Sequence, residues 1–217
     1  MTADSGTTPR RRGRPPAAAA GATRDRILRA ARHAFAEHGY AATSNRILAD
    51  EADVTTGAIY HYFDAKLDLY RAVNDVAQST VYERFEAAVD AALSLVDGIE
   101  RVLDVAHELN NHEPSLARFL GAARIDVRRN PELRSTFTPS TIRREQFIER
   151  LVGVGVASGE LDPAHRDPTV AMIRAVLIGL VDAVSDDPVE HRAAIDALKL
   201  LVEGRLIRRG VADSPAR

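Results

Sequence analysis

Four arginines fall within five residues near the start of the chain, Arg10, Arg11, Arg12 and Arg14, set around Gly13 and followed by Pro15 and Pro16. Guanidinium groups suit phosphate oxygens and narrow, electronegative grooves, and glycine and proline keep such a segment extended. Arg12 and Arg14 are therefore candidates for a minor groove, in the manner of an A·T-hook core. A second constellation is Thr43 to Phe63, TSNRILADEADVTTGAIYHYF. Thr43 can cap one short helix and Thr55 another. Leu48, Ala49 and Ala52 offer a small apolar face between them, Asp53 sits at the turn, Val54 plugs the core, and Ile59 with Phe63 forms a buried i, i+4 stripe. At about 100° per residue from Ile59, Gly57 and His61 lie almost opposite, with Ala58 and Tyr60 on the flanks and Thr56 nearer the start. That face is small and polar, as a helix deep in a major groove requires: Gly57 permits close approach, and Thr56, Tyr60 and His61 offer hydrogen bonds or methyl contact.

Catalytic constellations are missing by contrast. None of the seven histidines pairs with another at i, i+4 spacing around a carboxylate, and no Gly-x-Ser-x-Gly elbow occurs. His107 and His112 stand five apart and diverge on a helix, which argues against a metal there. There is no cysteine, hence no disulfide or thiolate chemistry, and a reducing, cytoplasmic compartment is expected. The 217 residues carry a net charge of -2, which excludes a uniformly basic coat. The first seventy residues hold ten basic against eight acidic side chains and the remainder nineteen against twenty-three, so positive charge leans to the N-terminal side. Alanines 17 to 20 are too short an apolar run for a twin-arginine export signal, and no run of about 18 apolar residues occurs. No enzyme, metal or cofactor is expected.

The positioning elements read as all-α. No proline stands between Pro16 and Pro114 and no glycine between Gly57 and Gly98. Ile27, Ala30, Ala31, Ala34 and Phe35 form one stripe of a first helix beginning at Thr23 and stopped by Gly39. Asp64 is expected to cap a long fourth helix running towards Val96, roughly 45 Å at 1.5 Å per residue. Further helices are expected at 98–110, 114–129, 139–158, 168–185 and 188–208, with a looser turn from Pro131 to Pro139. Asn130, Asp162, Asp167 and Asp187 each precede a proline and read as caps. The organisation expected is a basic disordered arm (1–22), a three-helix DNA-binding unit (23–68), a larger helical domain (69–209) and a disordered tail (210–217).

Thr23 to Leu69 resembles the TetR family of transcription regulators. The resemblance rests on Ala-Phe-Ala-Glu-His-Gly-Tyr at 34 to 40, Thr43-Ser44, the Ala49-x-x-Ala52-x-Val54 turn, Gly57, Ile59-Tyr60-His61-Tyr62-Phe63, Lys66 and Leu69. Asp53 stands where the family usually has glycine, Leu48 where it has isoleucine, and Ala65 where a capping Ser or Thr is common. The resemblance implies a homodimeric repressor whose small domains bind successive major grooves of a palindromic double-stranded DNA operator, and a larger domain that dimerises and holds a small effector. An activator of the same fold, or an architectural DNA-binding protein without effector, would carry a similar reading unit. By motif position, Lys66, Tyr60, Tyr62 and Thr43 or Ser44 would contact phosphates, and Thr56, Gly57 and His61 bases.

The last two helices carry broad apolar stripes, Ile173, Leu177, Leu180 and Val184 on one and Ile195, Leu198, Leu201 and Val202 on the other. Such faces join as four-helix bundles, so they are expected at a dimer interface. For the effector, Asn110 falls within the inward stripe of its helix with His107 at the edge, and Phe119 and Phe147 could wall a mainly apolar pocket. A ligand there, beneath the fourth helix, would shift the helix end near Lys66 and change the separation of the two reading heads.

Overall fold

The computed structural model describes residues 17–183 and 185–207, so Arg12, Arg14 and Val184 lie outside the described residues. Among the described residues the chain forms helices without strands: α1 (Ala17–Ala42), α2 (Asn45–Glu51), α3 (Thr56–Tyr62), α4 (Lys66–Asp90), α5 (Leu95–His112), α6 (Pro114–Arg129), α7 (Arg134–Ser158), α8 (Arg166–Ala183) and α9 (Pro188–Val202). Two short 3-10 turns, Pro131–Leu133 and Pro163–His165, precede α7 and α8.

Several boundaries differ from expectation for local reasons. α1 starts at Ala17 because alanine is the best helix former and a single Gly21 is tolerated. Gly39, at φ 73° and ψ 171°, interrupts α1 in a conformation close to glycine-only territory, which is the expected stop in another form. α4 begins after Ala65 with no side-chain cap, so Asp64 does not fill that role. It ends at Asp90 instead of running towards Val96, and Ser94 starts α5 by accepting a hydrogen bond from Asp97 N–H. The region 131 to 139 is helical: a 3-10 turn leads directly into α7, which carries Pro139 inside it. Asp187 and Asp162 do cap the elements that follow, whereas Asn130 makes no side-chain cap and Asp167 lies inside the first turn of α8. α9 stops at Val202.

One hydrophobic core runs from Ile27 on α1 to Ile173 on α8 without a break at the end of the reading unit. α1 packs along α6 as well as α4. α9 lies against α5, where Leu103, Leu180 and Ile195 make a smaller cluster.

Candidate nucleic-acid interface and buried cavity

α2 and α3 are each too short to persist alone, so their ends are fixed by side chains. Ser44 Oγ accepts from Ile47 N–H (3.2 Å) and Thr55 Oγ1 from Ala58 N–H (3.1 Å). Asp53 adopts φ 50°, the left-handed value its turn position demands, and Val54 N–H then donates to Ala49 O (3.0 Å). Leu48, Ala49, Ala52, Ile59 and Phe63 are buried as their spacing requires. Thr55, Thr56, Gly57, Tyr60 and His61 are exposed on the opposite side, Ala58 and Tyr62 half-buried beside them. Tyr60 Oη accepts from Asn45 Nδ2 at 2.5 Å, which braces α3 against α2. A Cβ at Gly57 would meet only Thr55 Oγ1, at 3.9 Å, so nothing within the chain calls for glycine there.

Thr43 and Lys66 are placed differently from the exposed set. Thr43 is fully buried, its hydroxyl donating to Gly39 O (2.7 Å), so Ser44 is the member of that pair that faces solvent. Lys66 Nζ donates to Tyr40 O (2.8 Å) and Thr43 O (2.9 Å) and lies 4.3 Å from the centre of the Tyr40 ring. Burial pushes its pKa down, opposed by the charge of Asp126. Lys66 thus ties the first turn of α4 to the end of α1.

Asp126 closes the same junction from α6, and its role was not foreseen. Its Oδ2 accepts from Tyr40 N–H and from Tyr70 Oη, both at 2.8 Å, and the residue is buried. Burial first, then the bond and charge of Asp126, push the Tyr70 hydroxyl pKa far up, so it stays a donor. The signal was present in the pattern: Leu116, Phe119, Ala123 and Asp126 share the buried stripe of α6, a carboxylate in an apolar row.

Beside this junction lies a partly open cavity of about 340 Å³ lined by α4 to α9. Tyr82, Phe85, Leu116, Leu120, Phe137 and Leu177 supply apolar wall, and Asn110 lines it. Phe119 and Phe147 do not: Phe119 packs edge-on to Tyr70, and Phe147 stands behind Tyr82 and Phe85, rings that do face the cavity. Asn110 Nδ2 donates to Ser185 O (3.1 Å), while its Oδ1 is buried with no partner. His107 sits one layer back, stacked on the cavity-lining His191 with their Nδ1 atoms 3.3 Å apart. Desolvation, then the neighbouring His107, lowers the His191 pKa. Among the described residues no cluster of three metal-ligating side chains forms, and no helix is long and apolar enough to cross a membrane.

The expected interface stripes are only partly on the surface. Ile173, Leu180 and Ile195 are buried by the chain's own α5 to α7, so they cannot meet a second copy without unpacking; Leu177, Leu198 and Val202 are half-buried and Leu201 is exposed. The outward strip of α8 is instead Ala171, Met172 and Ala175, and that of α9 includes Ala193 and Leu201.

Residues 27–73 match the model of bacterial regulatory proteins, tetR family. The helix-turn-helix segment is thus similar to the N-terminal domain of that family. The chain is 22% identical over 189 residues to the HTH-type transcriptional regulator UidR of Escherichia coli, covering 85% of this chain and 93% of that one. Its fold matches the regulator FadR of Bacillus subtilis, solved with stearoyl-CoA, with a TM-score of 0.68, 22% identity, and coverage of 83% and 98%. A transcriptional regulator from Saccharomonospora viridis solved with choline gives 0.70 at 18% identity, covering 87% and 100%. The matched segment spans α2 and α3, and the family model and the curated relative are those of transcription regulators.

Proposed function

We propose that the protein is a cytoplasmic homodimeric repressor that binds a palindromic operator and releases it when a small molecule fills the cavity. The observation that carries the DNA reading is Gly57: no positive φ and no internal contact calls for glycine, whereas a groove pressed against α3 does. Thr56 and His61 face bases beside it, with Tyr60, Tyr62 and Ser44 on phosphates. Arg12 and Arg14 extend the contact into a minor groove, and Lys66 acts by holding the α1–α4 junction that presents α3. The cavity and its partnerless Asn110 oxygen favour an effector-controlled regulator over an architectural protein. Transmission runs through α6, which lines the cavity with Ala123, Arg124 and Val127 and grips the end of α1 with Asp126. Dimerisation uses the small outward strips of α8 and α9, where alanines let helices approach closely. Protection mapping on the DNA flanking the coding region tests the reading. Two protected half-sites about one helical turn apart are expected, and protection lost with Gly57→Leu. A footprint indifferent to Gly57→Leu would refute the assignment of α3.

A further inference from the structure

The two ends of the cavity differ in chemistry. α6 and α8 run antiparallel along it: Arg118 pairs with Asp186 (2.9 Å) near Asn110 and Ser185, and Arg124 pairs with Asp182 further on. Arg124, Arg128 and Arg144 line the far end together with the hydroxyls of Ser140 and Thr141, and no Asp or Glu lines the cavity anywhere. Arg128 is exposed and makes no ion pair among the described residues. Burial, then the positive charges of Arg144 and Arg128, lower the Arg124 pKa, as expected where cations lie close to one another in a partly desolvated site. Arg124 is paired with Asp182 and Arg144 with Glu145 (3.2 Å), so three arginines at this end face two carboxylates, and Arg128 is the cation left over for an acid.

The near end is complementary to a different group. Asn111 Nδ2 can only donate, and it lies 2.9 Å from His107 Nε2, so His107 carries its proton on Nδ1. That proton points to His191 Nδ1, which leaves the His191 proton on Nε2. Asn110 Oδ1, 97% buried by residue, is an acceptor without a donor. Asn110 and His191 both line the cavity, one with an acceptor that lacks a donor and the other with a donor, and a hydroxyl is the small group that can satisfy both. From Leu116 to Arg124 or Arg128 the separation along α6 is roughly 12 to 18 Å, and 340 Å³ is a little over twice a cavity of about 150 Å³ that holds benzene.

Resting on the effector reading above, we propose that the cavity binds a hydroxylated aliphatic acid, its carboxylate among Arg124, Arg128 and Arg144 and its distal hydroxyl between Asn110 and His191. Calorimetric titration of the full chain with decanoate, decanol, decyltrimethylammonium and ω-hydroxydecanoate tests it without any variant. Decanoate should bind more tightly than decanol and the ammonium least, and ω-hydroxydecanoate should exceed decanoate by roughly three- to tenfold, the worth of one net hydrogen bond. Asn110→Ala should erase that last preference and leave decanoate unchanged. Arg128→Gln, at an exposed position, should weaken both acids and spare decanol. Equal or better binding of decanol or the ammonium, a hydroxyl preference untouched by Asn110→Ala, or no binding of any probe would overturn the proposal. Operator retention measured in parallel separates the two readings: an acid that binds without releasing DNA defeats the effector reading alone, and release by an unrelated compound with none of these binding defeats the ligand class alone.

Discussion

Replacing Asp126 by alanine strips two donors of their acceptor at once. Tyr70 is fully buried, and its hydroxyl, 2.8 Å from Oδ2, has no water to turn to; Tyr40 N–H, at the same distance, is half-buried and can be partly rehydrated. Leaving a buried donor unmade costs about 1–3 kcal/mol, so we expect a loss of about 3 kcal/mol, divided about 2 and 1 between the tyrosines. Against a total stability of roughly 5–15 kcal/mol this is large, and it falls on a carboxylate that joins α6 to both α1 and α4. Urea unfolding followed by far-ultraviolet circular dichroism measures it. A double-mutant cycle with Tyr70→Phe isolates the buried half, with a coupling of about 1–2 kcal/mol expected. The same variant should blunt effector-driven release, since the polar tie from the cavity-lining α6 to the end of α1 is lost while their apolar packing remains. An Asp126→Ala midpoint within about 0.5 kcal/mol of the parent, or a cycle without coupling, would refute the reasoning.

Gly39→Ala forces a Cβ into φ 73° and to 3.1 Å from Asp126 Oδ1, and should lower the melting temperature by roughly 4–8 °C, read by calorimetry. The lowered pKa of His191 means that the native state prefers neutral imidazole: the associated stability is present above about pH 6.5 and is lost as pH falls below it. Melting curves between pH 8 and 5 should therefore fall less steeply for His191→Gln, and parallel curves would count against this. Randomised-site selection with His61→Ala should relax the consensus at one position per half-site; an unchanged consensus moves His61 from bases to phosphates. Ala175→Arg, on the exposed strip of α8, should convert dimer to monomer by light scattering, whereas a persistent dimer places the interface elsewhere.

The reading unit was legible because its signals are local. Ser44 or Thr43, Thr55, Ile59 and Phe63 act over three or four residues, and capping or i, i+4 packing is visible in any short window. Asp53 could be read as a left-handed turn residue for the same reason, and φ 50° is what the chain adopts. The long-range half was harder. Lys66 reads as a phosphate contact by motif position, and no window shows that its Nζ also reaches Tyr40 O and Thr43 O, more than twenty residues upstream. Phe119 and Phe147 were correctly apolar and inward, but whether an inward ring faces a void or another ring depends on the helix behind it.

The all-α class, the two capped short helices and the polar outer face of α3 are written in residue order, because they follow from periodicity and hydrogen bonds within a turn or two. Tertiary structure alone decided the rest. Ile173, Leu180 and Ile195 became core instead of interface because α5 to α7 reached them first, and an amphipathic stripe does not say which apolar surface will cover it. The junction of Lys66, Tyr40, Tyr70 and Asp126, and the cavity with arginines at one end and Asn110 at the other, arise only where α1, α4 and α6 meet, since charge and void are properties of the space between elements.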